Sequence, residues 1–103
     1  MTDRELLELA AKAAGIEIKA VIADTFWRPD GICWDPLTND GDALRLAVKL
    51  SIAVHQYASC VIAAPHIGRY QDCDENYGRD PYAATRRAIV RAAAEIGKAK
   101  EQA

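Results

Sequence analysis

Alanine fills 20 of the 103 positions, whereas the chain has one Phe and one Met. This imbalance restricts the folds open to it. A methyl side chain removes little apolar area from water, and burial stabilises by roughly 25 cal/mol per Å². Small side chains do permit close packing, either within one domain or between copies of it. Small domains are already marginal on surface-to-volume grounds, so association is expected to supply part of the stability. The sequence therefore predicts a homo-oligomer of one small domain spanning residues 1–103, with 98–103 frayed. Half of the residues are hydrophobic and 27% are charged, which separates the chain from disordered sequences.

Charge narrows the partners. Thirteen basic and fifteen acidic residues give a net charge of −2. Extended nucleic acid and anionic membranes both attract proteins through excess Lys and Arg, so neither is expected. No apolar run approaches the roughly 20 residues that span a bilayer. The opening Met-Thr-Asp-Arg-Glu lacks the basic and apolar regions of an export signal. Three cysteines, Cys33, Cys60 and Cys73, cannot all pair with one another. Together these features predict a cytoplasmic protein with reduced thiols.

Local patterning predicts the elements. Thr2 and Glu5 have capping-box spacing, followed by Leu6, Leu9, Ala10 and Ala13 at helical spacing and a stop at Gly15. Residues 16–23 suit a strand with a more buried second half, with continued helix as the alternative. Turn formers dominate 24–42, around a short strand at Ile32-Cys33-Trp34. A helix over Asp40–Leu50 has apolar residues on more than one face, which predicts that it is largely buried. Alternation in 52–57 and the apolar run 60–64 predict a hairpin turning at Ala58-Ser59, with Ile67 to Tyr70 continuing the second strand beyond Pro65. The acidic segment 71–78 reads as a loop. Asp80 and Pro81 open a long last helix with Tyr82, Ile89, Ala93 and Ile96 along one stripe. The order implies an α+β domain: a small antiparallel sheet packed with an N-terminal, a central and a long C-terminal helix.

Catalytic and metal motifs fail on spacing. His55, Cys60, His66 and Cys73 lack the close pairs of zinc sites. The run Asp72 to Gly78 imitates a calcium loop, but its sixth and twelfth places are Tyr77 and Ala83 instead of Gly and Glu. Nothing local would activate a cysteine, and no glycine-rich phosphate loop is present. No enzyme, cofactor or metal is expected.

Arginines next to aromatic residues are the remaining signal. Arg79, Arg86, Arg87 and Arg91 accompany Tyr70, Tyr77 and Tyr82, and Arg28 follows Trp27. Guanidinium groups bind phosphates in a bidentate manner and aromatic faces stack bases. The plainer account is a solvated helix face with ion pairs to Asp80 or Glu95. Candidate binding residues are Trp27, Arg28, Tyr77, Arg79, Tyr82, Arg86 and Arg87.

Two blocks carry a resemblance. Trp34-Asp35-Pro36-Leu37-Thr38-Asn39-Asp40-Gly41-Asp42-Ala43 resembles the tryptophan, proline-turn and acidic helix entry of small tailed-phage and prophage proteins of the α/β/α-sandwich type. Asp80-Pro81-Tyr82-Ala83-Ala84-Thr85-Arg86-Arg87-Ala88-Ile89-Val90-Arg91-Ala92 is similar to their closing helix. The resemblance spans most of the chain and leaves out Tyr70 to Gly78. It implies phage or prophage origin, with Trp34 packed under the proline turn and Asp40 or a neighbour capping the second helix. Such a protein is expected to bind a host or phage protein, including one of host defence. The alternative is an oligomer that sequesters a small nucleotide-like ligand without cleaving it.

Overall fold

Local capping chemistry sets the starts of three helices. The computed structural model describes residues 1–65 and 72–102. At the start of α1 (Asp3–Ala14) the Glu5 amide donates to the Thr2 hydroxyl at 3.1 Å, and the Thr2 amide donates back to the Glu5 carboxylate at 3.3 Å. Two donors left over by the helix end are thereby satisfied. Asn39 caps α2 (Asp40–Leu50), its side chain accepting from the Asp42 amide at 2.8 Å. The neighbour of Asp40 therefore does the capping. Asp80 opens α3 (Pro81–Gln102) by accepting from the amides of Tyr82 and Ala83.

The strands form two three-stranded antiparallel sheets instead of one. The first contains β1 (Ala20–Ile22), β2 (Thr25–Trp27) and β3 (Cys33–Trp34) in that order. Phe26 and Trp34 face each other across it and point into the core, with ring centroids 6.4 Å apart. Trp34 and Pro36 are both buried. The second sheet contains β4 (Ala53–Gln56), β5 (Cys60–Ala64) and β6 (Cys73–Asn76). The expected hairpin is present, with Gln56 opposite Val61.

Several expectations need correction. Residues 16–19 precede the strand, and β1 becomes more exposed along its length, since Ile22 is at the hairpin tip. The β1–β2 turn is made by Ala23 and Asp24, both at positive φ, a conformation that usually calls for Gly or Asn. Nothing in the sequence marks it as a tight turn, so β2 is hidden among irregular residues. Within the acidic segment Cys73–Asn76 is a strand, where Glu75, paired opposite Val61, meets Arg91 of α3. Arg91 thus pairs across to β6 and not along the helix to Glu95. The segment Ile67 to Tyr70 and the residue His66 lie outside the described residues.

α3 organises the rest. Val61, Ala63 and Cys73 pack beneath it, and α1 lies along it, the two helices contributing buried Ala10, Ala13, Ala14, Ala92, Ala93 and Ala94 to the core. A Cβ at Gly97 would overlap the backbone carbonyl oxygen of Leu9. The alanine content is thus used within the domain, where small side chains bring two helices close. The tail is helical through Gln102: Lys12 lies 2.7 Å from the Glu101 carboxylate, and Lys100 donates to the Ala13 carbonyl. Ala103 lies outside the described residues. One buried cluster joins elements from all three helices and both sheets.

Candidate functional site

Beside this closed core the molecule has an open side. The expectation that α2 is largely buried fails, since Leu44 is 64% and Val48 71% exposed. The helix buries Asp42, Ala43, Leu46 and Ala47, and Leu50 packs partly buried against the core. Leu44 and Val48 are four residues apart, so they form a stripe on its outer surface. Tyr82 is 71% exposed and has left the buried stripe of α3. The reason is positional, since Tyr82 is in the first turn, ahead of the part of α3 that crosses the sheet.

Leu44 and Tyr82 line an open groove of about 520 Å³. Val54 and Gln56 form its strand side, on the same sheet face as Val61 and Ala63. Ala43, Leu44 and Ala47 come from α2, and Tyr82, Thr85, Arg86 and Ile89 come from α3. Tyr77 lines it from the connection between β6 and α3. The lining is mostly apolar. Its cation is already committed: Arg86 donates to the Leu37 carbonyl at 2.8 Å and to Asp40 at 2.6 Å.

Three of the seven candidate residues, Tyr77, Tyr82 and Arg86, therefore meet in one groove. The others are elsewhere. Trp27 is half-buried on the outward face of the first sheet, opposite Ala20 and Cys33. Arg28 pairs with Asp30 at 2.8 Å beside a separate hollow near Trp34. Arg87 reaches Asp3 at 2.7 Å, on the side facing α1. Arg79 is exposed and has no ion pair among the described residues. Neither Asp80 nor Glu95 supplies the ion pairs foreseen for this helix; Asp40, Asp3 and Glu75 do. Tyr70 lies outside the described residues.

The described members of the soft-ligand set, His55, Cys60 and Cys73, do not converge. His55 and Cys60 belong to the outward face of the second sheet, whereas Cys73 is on its inward face. Burial pushes the Cys73 thiol above its ordinary pKa, and the nearby Arg91 opposes that shift. A protonated, enclosed sulfur is a poor nucleophile. Among the described residues no group of three His, Cys, Asp or Glu could hold a metal ion. Among them, too, no helix is long and apolar enough to cross a membrane.

Sequence reasoning missed Leu44, Val48 and Val54 as surface residues. The signal was present in α2, whose apolar residues cover more of its circumference than one packed face can use. Comparison with known proteins adds no further constraint: no family model, no curated protein and no solved structure matches the chain.

Proposed function

We propose that this chain is a small accessory protein of the phage or prophage type that acts in the host cytoplasm by binding a host or phage protein. The groove between α2, α3 and β4 is its contact surface. The observation that carries this reading is the pairing of Arg86 with Asp40 and the Leu37 carbonyl, which leaves an apolar groove without a cation to offer. Apolar pockets with tyrosines at their margins suit a side chain of a partner protein, and Tyr is prominent among residues that dominate interface energies. The phage-like helix entries at Trp34–Ala43 and Asp80–Ala92 support the origin. Counteracting a host defence protein is one form this activity would take.

The test is co-purification from phage-infected cells with wild-type protein and with Leu44→Asp and Tyr82→Ser. Both side chains are exposed, so both variants keep the fold. A stoichiometric partner that is lost with each variant supports the reading. A partner retained by both places the contact elsewhere.

A second reading, sequestration of a nucleotide-like ligand, has one observation in its favour. Tyr77, Tyr82 and Arg86 share the groove. It requires Arg86 to exchange Asp40 for a phosphate. A ligand that binds only the folded state raises the melting temperature. A rise with cyclic or ADP-ribose-type nucleotides, abolished by Arg86→Gln, would favour this reading over protein docking.

A further inference from the structure

The two edges of the second sheet are protected unequally. β6 forms one edge and carries Asp74 and Glu75, with Asp72 just ahead. Carboxylates along an edge oppose the addition of another strand. β4 forms the other edge, reads Ala-Val-His-Gln, and is exposed along its whole length. It has no Lys, no Pro and no carboxylate. The first sheet avoids the problem by brevity, since its edge strands β1 and β3 are three and two residues long. Among the described residues β4 is the unguarded edge of the second sheet.

The hydrogen-bond ladder shows which groups that edge offers. The Tyr57 amide donates to the Cys60 carbonyl at 2.8 Å. In antiparallel pairs, bonded and non-bonded positions alternate. His55 opposite Ile62 and Ala53 opposite Ala64 are therefore bonded pairs. Val54 and Gln56 turn their N–H and C=O groups away from β5, toward the open edge. A strand, and not a helix, is what two such residues can bind.

We propose that a second copy of this chain pairs with β4 about a twofold axis through His55, joining two three-stranded sheets into one of six strands. In this register Val54 lies opposite Gln56 of the partner subunit, and Gln56 opposite Val54 of the partner subunit. It is the register in which both outward-facing residues find partners within β4 itself. A twofold axis normal to the sheet keeps both α2 helices on the same side. The Leu44–Val48 stripes, with Val54 and Tyr82, then flank the new pair on the helix side, and Tyr57 lies on the opposite face beside His55. A stable interface needs roughly 800 Å² from each partner. Leu44, Val48, Val54 and Tyr82 supply its apolar centre, and the four-residue edge supplies its hydrogen bonds. β4 has no carboxylate or ammonium group to meet its own copy at the axis, which self-pairing requires. The hydrogen bonds of the pairing come from the strand's backbone, while Leu44, Val54 and Tyr82 also line the groove, so the dimer draws on part of the surface assigned to the partner protein.

Sedimentation velocity at micromolar concentration tests it, with wild type, His55→Glu, His55→Lys and an equimolar mixture of the two variants. His55 is exposed, and unchanged circular dichroism shows that each variant is folded. Wild type is expected to be a dimer. Each variant alone places like charges opposite each other and should weaken the dimer roughly tenfold or more. The mixture, with opposite charges facing, should restore it. Slow amide exchange at Val54 and Gln56 in the wild-type dimer supports the same pairing independently. A wild-type monomer at 100 µM overturns the proposal. So does a dimer indifferent to both variants, or one that the mixture fails to restore. An intact dimer that captures no host protein, or a monomer that does, separates this pairing from the docking reading.

Discussion

The seam between α1 and α3 and the surface between α2 and β4 use apolar residues to opposite ends. At the seam, alanines and Gly97 let two backbones approach until a single methyl group has no room. At the surface, the larger Leu44, Val48 and Tyr82 stand in solvent. Side-chain size therefore does not track burial in this chain. Small residues close the molecule on itself, and several of its larger apolar residues remain available to something else. Interiors are packed as densely as organic crystals, so a chain short of large side chains gains its interior contacts by close helix approach. Of the larger side chains left exposed, Leu44, Val48, Val54 and Tyr82 come from α2, β4 and the start of α3.

The strongest challenge to this contrast is Gly97→Ala. The added methyl group meets the Leu9 backbone, which cannot rotate away, so urea unfolding should show a loss of about 3 kcal/mol or more. A loss below about 1 kcal/mol would mean that the two helices can part at little cost. Thiol chemistry gives the next largest effect. With iodoacetamide at pH 8, exposed Cys33 should react first and half-buried Cys60 next. Cys73, buried and with its thiol pKa raised, should lag by about tenfold or more, measured by peptide mass spectrometry. Equal rates at all three would show that the sheet's inward face is open.

Smaller effects sharpen the open side. Val48→Lys should change unfolding stability by no more than about 0.5 kcal/mol at concentrations where the protein is monomeric. A larger loss would mean that the stripe is covered within one chain. The smallest effect is at the mouth of α1. The Thr2 hydroxyl and then the Thr2 amide, both donating to Glu5, hold its carboxyl below the ordinary value. A lowered folded value contributes stability above the unfolded carboxyl pKa, near 4.3, and this is lost as the pH falls through the lowered value. In an NMR titration Glu5 should titrate below the other exposed glutamates, and Thr2→Ala should return it to their range.

Much of the fold was legible because its signals are local. Thr2 with Glu5, Asn39 with Asp42, and Asp80 with Tyr82 and Ala83 act within three residues, and the hairpin of β4 and β5 alternates visibly. What escaped depends on distant partners. β6 looks like an acidic loop until Arg91 meets Glu75, and Arg86 and Arg87 look free until Asp40 and Asp3 arrive from 46 and 84 residues away. The β1–β2 turn escaped for a different reason, since Ala23 adopts a conformation that its side chain disfavours. Tyr77, Tyr82 and Arg86 were legible as an aromatic and arginine cluster. For Leu44 the surplus of apolar residues around α2 signalled that one face would stay uncovered but not which, and Val54 carried no such signal.

α3 has a consequence for how the chain comes to be folded. It follows every other element in sequence, yet α1, α2, β5 and β6 all pack against it. During synthesis from the N-terminus, α1 and the second sheet emerge before the surface that buries them. Leu6, Ala10, Val61 and Ala63 are then exposed on the nascent chain, and the contacts that cover them span up to about 90 residues. Contacts this distant form slowly because loop closure precedes their reward. The nascent chain should therefore occupy chaperones until α3 has emerged, and then complete its core in one late step.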